Sequence, residues 1–194
     1  MIDKVKSYCT GILLKESCDK LPFHNLIHTQ EVVENIQSIA SQMGMNTMEQ
    51  EPVIIAGWFH DVGHSVCYKG HEAESIKIAR YYLEGEQYPS EKIELVLSCI
   101  KSTEMPQNPK NELDMIICDA DIKHISNSHF FYRKLLLKRE WELVFDKYFT
   151  DKEWHDLNMK FLENQKFHTE YGMRTLTKGL EDNKTKVLNL LRTF

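Results

Sequence analysis

Seven consecutive apolar residues, Val53 to Phe59, lead straight into the doublet His60-Asp61. A carboxylate at the end of such a run lands against the protein interior, where an unpaired charge costs several kcal/mol. His28 upstream and Asp121 downstream stand in comparable places, each beside an apolar stretch. A fold for this chain must therefore carry polar donors to its core and give their charge a partner. A divalent cation is the strongest partner available.

The way the rest of the chain alternates selects the architecture. Apolar residues recur at helical spacing, and no run alternates convincingly as a half-buried strand does. Val32, Val33, Ile36, Ile39, Ala40 and Met43 form one stripe of a helix over about 32–43, with His28 one turn ahead of it. Thr47 and Gln50 have capping-box spacing and open a helix through Val53 to His60. Pro89-Ser90 starts another, carrying Ile93, Val96, Leu97 and Ile100, and Pro106 and Pro109 end that region in a loop. Asn111 caps a helix to about Ile125. Further helices are expected over about 130–149, 150–166 with a Thr150/Glu153 capping box, and 169–191. The fold class is all-α. With no repeat or linker to divide it, the chain reads as one compact multi-helix domain over 1–194, with a core of about 24–125 and additional C-terminal helices over about 126–194.

Size and charge narrow the partners. At 194 residues and 42% hydrophobic, one domain can bury roughly two-thirds of its unfolded surface. The net charge of −5 offers no global attraction for nucleic acid, so a small molecule is the simpler expectation. Cys9, Cys18, Cys67, Cys99 and Cys118 are odd in number and form no C-x-x-C pair, which suits reduced thiols. No apolar stretch approaches the ~20 residues that span a bilayer. A soluble, cytoplasmic protein without a membrane partner is expected, with self-association left open.

Helical phase chooses between two aspartates in the segment after Asn111. Taking Ile117 as zero, Leu113 lies at about −40°, His124 at about −20° and Asp121 at about +40°, whereas Asp119 lies at about 200°. Asp121 shares the inward face. Asp119 points away from it.

These residues carry a resemblance. His28, His60-Asp61 and Asp121 follow the H…HD…D order of metal ligands in the HD-domain metal-dependent phosphohydrolase superfamily. Phe23-His24-Asn25-Leu26-Ile27-His28 resembles the Y-H-N-x-x-H segment of cyclic nucleotide phosphodiesterases, with Phe23 in place of Tyr, and Phe59-His60-Asp61-Val62-Gly63-His64 is similar to the F-H-D-x-G-H phrase of bacterial members. The match covers about residues 24–125. It implies a helical metal-binding core, a phosphorylated and nucleotide-like substrate, and a proton-donating role for His24 toward the leaving oxygen.

The donor chemistry agrees with that ligand set. Two imidazoles and two carboxylates suit Mn, Fe, Zn, Co, Ni or Mg, without the thiolates of structural zinc. Such an ion polarises a phosphoryl group and, in the most favourable zinc sites, brings the pKa of water towards ~7. Asp61 is thus both ligand and catalytic residue. If residues 24–28 are helical, His24 and His28 project from one face, one to the substrate and one to the metal.

Other positions enter as candidates of lower rank. His64, His71 and Lys101 could meet the phosphate or, for the histidines, hold a second metal, and His71-Glu72 opens a helix as the corresponding segment does in binuclear relatives. Gly63 is expected to permit a tight turn and Gly57 a close helix contact. Arg133, Lys134, Lys138 and Arg139 read as an exposed helix face. Trp58, Phe59, Tyr81 and Tyr82 read as packing residues rather than base-stacking ones. The chain lacks the Glu-Asp pair of alarmone hydrolases, the P-F-x-H continuation of deoxynucleotide triphosphohydrolases and the G-Y-P motif of cyclic-dinucleotide relatives. Cyclic mononucleotides and simple nucleoside phosphates remain. The alternative to a hydrolase is a non-catalytic HD module that binds a nucleotide and signals.

Overall fold

The computed structural model describes every residue except Glu16, Ser17 and Asp19. Nine α-helices and no strand occur among the described residues: α1 (Ile2–Leu13), α2 (Leu26–Gln42), α3 (Thr47–Phe59), α4 (His71–Gly85), α5 (Ser90–Ser102), α6 (Glu112–Ile122), α7 (Phe130–Phe145), α8 (Asp151–Glu163) and α9 (Thr177–Leu191). The all-α expectation holds. The chain forms two compact units, Met1–Asp121 and Ile122–Phe194.

In the first unit α3 is central. Residues 52–59 are all buried, as a helix apolar on every side requires, and α1, α2 and α5 pack against it. Gly57 brings α2 close: a Cβ there would stand 2.5 Å from Cδ1 of Ile36. Asn35 of α2 donates to the Ala120 carbonyl of α6 at 3.1 Å, tying together two helices that carry site residues. The capping box of α3 lies one residue before the expected one. Asn46 accepts from the amides of Met48 and Glu49, and Glu49 accepts from the Asn46 amide at 2.7 Å. Thr47 is thus already inside the helix, because Asn46 reaches the free amides first.

The second unit closes over Ile125, Phe130, Leu162, Phe167, Leu180 and Val187. Asn183 of α9 donates to the carbonyls of Ile125 and Asn127 at 2.9 and 3.0 Å, holding the helix against the 3-10 turn Lys123–Ser126. The Thr150/Glu153 capping box forms as expected. The helix capped by Asn111 stops at Ile122 and tightens into that 3-10 turn instead of running on to Ile125. A π-helical turn, Gly172–Leu176, interrupts the expected helix over 169–191. No helix among the described residues is long and apolar enough to cross a membrane.

The basic cluster on α7 departs from its expected exposure. Arg133 and Lys134 are buried and only Arg139 is well exposed, because the helix turns this face, and not its leucines, toward the interior. The Lys134 ammonium lies 3.9 Å from the Phe161 ring centroid, and burial pulls its pKa down to about 7. A lysine whose folded pKa is depressed destabilises the fold fully below that pKa, and the penalty fades as pH rises toward the unfolded value. Lys134→Met should therefore stabilise this unit at pH 7 by a few kcal/mol, with the wild type catching up between pH 7 and about 10. Hydrogen exchange over α7 and α8 measures it, and a difference that stays flat with pH would show that the amine is not its cause.

Candidate metal centre

The functional side chains come from four helix ends and the turn between two of them. Asn25 sets the first. It caps α2 by accepting from the amides of Ile27 and His28 at 3.0 and 3.2 Å, while its own amide donates to the carbonyls of Leu21 and Pro22. One side chain thus fixes both the start of the helix bearing His28 and the loop bearing His24. His24 lies before the cap and is not helical, so the expected one-face argument fails. The loop still brings the His24 and His28 rings within 5.9 Å, nearly perpendicular to each other.

His60 ends α3, and its Nδ1 lies 2.8 Å from the Gly57 carbonyl. That hydrogen bond, with Nδ1–H as donor, leaves Nε2 free to face the centre. The chain then tightens into a 3-10 turn, Val62–Ser65, and α4 begins at His71. Ser75 staples the two together: its hydroxyl donates to the His60 carbonyl at 2.7 Å and accepts from the Gly63 amide at 2.9 Å. Gly63 is required by this approach rather than by turn conformation, since a Cβ would lie 1.9 Å from the His71 carbonyl oxygen. Gly63→Ala should therefore push α4 off the turn, cost about 3 kcal/mol or more, and disorganise His71 and the doublet together. Thermal unfolding tests this; a variant melting with the wild type would show that α4 yields without penalty.

Within this frame His28, His60, Asp61 and Asp121 converge. Asp121 Oδ1 is 3.2 Å from His28 Nε2 and 3.9 Å from His60 Nε2; Asp61 Oδ2 is 3.5 and 3.2 Å from the same two nitrogens. Three of these atoms, His28 Nε2, His60 Nε2 and Asp61 Oδ2, are buried without a hydrogen-bond partner. Buried polar atoms of native proteins are nearly always satisfied, so three orphans facing one point fit the donor set of a bound cation. The donor set of imidazole nitrogens and carboxylate oxygens suits a divalent first-row ion. Asp119, expected to point away from the inward face, is fully buried on another face of α6, while Asp121 is only half-buried; α6 packs nearly all round, and of the two aspartates only Asp121 belongs to a His/Asp group that could hold a metal among the described residues.

The electrostatics of the cluster are those of opposed charges held close. Burial works against a charge on His60, but the neighbouring Asp61 and Asp121 carboxylates and the Gly57 carbonyl outweigh it and raise the pKa to about 9. Burial dominates at His28 and lowers its pKa despite Asp121 and Asp61. Asp61 is held well below the usual carboxylate range, its burial overcome by His60 and His71. Asp121 is lowered as well, through His28 and His60 acting against burial. Both carboxylates are thus kept anionic inside the protein, as a cation site needs.

A second set adjoins the first across Asp61. His71 Nε2 lies 3.2 Å from Asp61 Oδ1, and its Nδ1 is 3.1 Å from the Tyr68 carbonyl. The His71 ring stacks on His64 at 3.8 Å, and His64 in turn faces His24 at 4.7 Å. His24, Asp61 and His64 form the other group able to hold an ion. Of the lower-ranked candidates, then, His64 and His71 reach the site. Lys101 is exposed at the end of α5 and pairs with Glu104. Tyr68, edge-on to His24 at 6.0 Å and 5.0 Å from His64, was not among the expected site residues. It sits in the loop before α4, where no periodicity signals it. Of the expected packing aromatics, Trp58 and Phe59 are buried and Tyr82 stacks on Tyr8, whereas Tyr81 is exposed.

Comparison with known proteins agrees with this arrangement. The family model of the HD domain matches residues 25–125, just over half of the sequence, and the chain belongs to the HD-domain family. No curated protein matches it. A crystal structure of a predicted HD superfamily hydrolase from an uncultured Thermotogales bacterium is similar over 99% of this chain and 90% of its own, with a TM-score of 0.63 at 18% identity. At that identity the likeness is one of fold.

Proposed function

We propose that this chain is a metal-dependent phosphohydrolase acting on a phosphoester or phosphoanhydride of a nucleotide-like small molecule. The observation that carries the reading is the convergence of the three orphaned donor atoms of His28, His60 and Asp61 with Asp121 in a chain of the HD-domain family. The hydrolase name of the Thermotogales structure points the same way. A divalent ion held by these four residues would supply Lewis acidity at a phosphoryl oxygen and a source of hydroxide near neutral pH.

The chain's own residues account for the remainder of the reaction. Asp61 and Asp121 keep negative charge at the site, where the imidazoles of His28, His60 and His71 surround them. His24 is half-buried and sits beside His64, which is compatible with its proposed role of giving a proton to the leaving oxygen. Proton donation of this kind contributes ~10²–10⁴ in rate. His64, stacked on His71, is the imidazole of this pair that could meet an anionic substrate, because both ring nitrogens of His71 already have partners in Asp61 and the Tyr68 carbonyl. The expected second ion has its donors in His24, Asp61 and His64; a His24 recruited to that ion would no longer be a proton donor.

Turnover of cyclic mononucleotides and nucleoside phosphates by protein supplied with Mn or a similar ion tests the proposal. Release of phosphate or ring opening in at least one substrate, abolished by chelation, is expected. Saturable nucleotide binding by fully metal-loaded protein with no product from any phosphoester would favour a non-catalytic sensor module instead.

A further inference from the structure

Phe23 and Tyr68 both lie against histidines of the metal centre, and their burial differs. The Phe23 ring stands 4.6 Å from His24 and 5.1 Å from His28, and the residue is buried. The Tyr68 ring stands 6.0 Å from His24 and 5.0 Å from His64, and the residue is half-buried. Of the two, Tyr68 keeps surface that a ligand can cover. The backbone around it is fixed on the side of α4: its carbonyl accepts from Nδ1–H of His71 at 3.1 Å, and Gly70, at φ +74°, turns the chain into the helix. A ring carried on a fixed backbone and packed beside a buried His64 has little freedom left to lose on binding.

We infer that the Tyr68 ring receives the base of a nucleoside monophosphate, on the leaving-group side of the scissile bond. The inference rests on the hydrolase reading above, in which His24 protonates the leaving oxygen. The group bonded to that oxygen then lies beside His24, and a ring 6.0 Å from His24 is close enough to meet it. In a nucleoside monophosphate that group is the nucleoside, whose base stands one sugar away from the ester oxygen. Every base has a π-face, so stacking on Tyr68 selects for a base without choosing among bases. The phosphate ester of a sugar alone offers the same phosphoryl group to the ion and no face to the ring.

Calorimetric titration of the Mn-loaded full chain with AMP, and with the matching ribose phosphate that carries a hydroxyl in place of the base, tests the inference without requiring turnover. The wild type should bind AMP more tightly by about 10-fold, the gain ordinary for one base on one aromatic ring. Tyr68→Leu should bring the two Kd values together, and Tyr68→Phe, which keeps the ring, should keep them apart. A ring that merely covered His64 would on removal weaken both ligands alike and leave their ratio standing. Far-UV circular dichroism checks that each variant is folded. Absence of AMP binding, equal Kd values in the wild type, or a Tyr68→Leu protein that keeps its preference would overturn the inference. Hydrolysis is tested apart from it. A preference for AMP that depends on Tyr68, with no phosphate released from either compound, would keep the base on Tyr68 and contradict the hydrolase; equal release and equal affinity for both would keep the hydrolase and overturn the base site.

Discussion

His60→Ala and Asp61→Ala should each lose the metal and the hydrolytic activity together. Removing His60 takes away one of three donor atoms that have no other partner, and leaves Asp61 and Asp121 as buried carboxylates short of a cation. Removing Asp61 breaks contacts to His28, His60 and His71 at once. Groups that merely orient a metal ligand are worth 10–100-fold in affinity or activity, so loss of a ligand itself should exceed about 10²-fold in both. Metal content per chain and turnover, measured on the same preparations, decide the matter. A His60→Ala protein that keeps a full complement of ion and its turnover would remove His60 from the centre.

His24→Ala should separate what those changes lose together. His24 belongs to the loop fixed by Asn25, before α2 begins, and stands against His64 rather than against His60. The ion held by His28, His60, Asp61 and Asp121 should remain, while kcat falls by ~10²–10⁴ through loss of the proton donor. Because the lost step is protonation of the leaving group, the deficit should shrink for substrates whose leaving oxygen is already a weak base, such as a nitrophenolate. A His24→Ala protein that lost an ion would place His24 among the ligands, in the group it forms with Asp61 and His64.

Much of this centre is legible in the sequence because its residues interrupt a periodic pattern. His28 and His60 extend apolar stripes, and a helix that buries its stripe must bury them too. Phase separated Asp121 from Asp119 even though α6 is buried nearly all round, since the angle between them depends only on their spacing. His64 and His71 were visible as residue types but not as a stack. That stack arises from Ser75 and Gly63 drawing α4 onto the 3-10 turn, a contact between segments. Tyr68 lies in the connecting loop, where neither period applies.

The mistaken expectations share a cause. Thr47 and Gln50 match a capping box as well as Asn46 and Glu49 do, and only the actual start of the helix decides between them. Residues 24–28 do not form one helical turn because Asn25 caps the start of α2 at Leu26 and leaves His24 in the preceding loop. On α7, charge suggested the solvent side, yet packing in the second unit buries Arg133 and Lys134 and leaves Tyr132 and Leu135 outside. Composition alone does not state which face of a helix finds a neighbour.

The central claim is that four side chains share one ion, and anomalous diffraction from crystals soaked in Mn or Zn tests it most directly. One peak about 2.0–2.2 Å from His28 Nε2, His60 Nε2 and a carboxylate oxygen of both Asp61 and Asp121 is the expected result. An ion bound by His24, Asp61 and His64 with none among His28, His60 and Asp121, or no peak at either group in a fully soaked crystal, would contradict it.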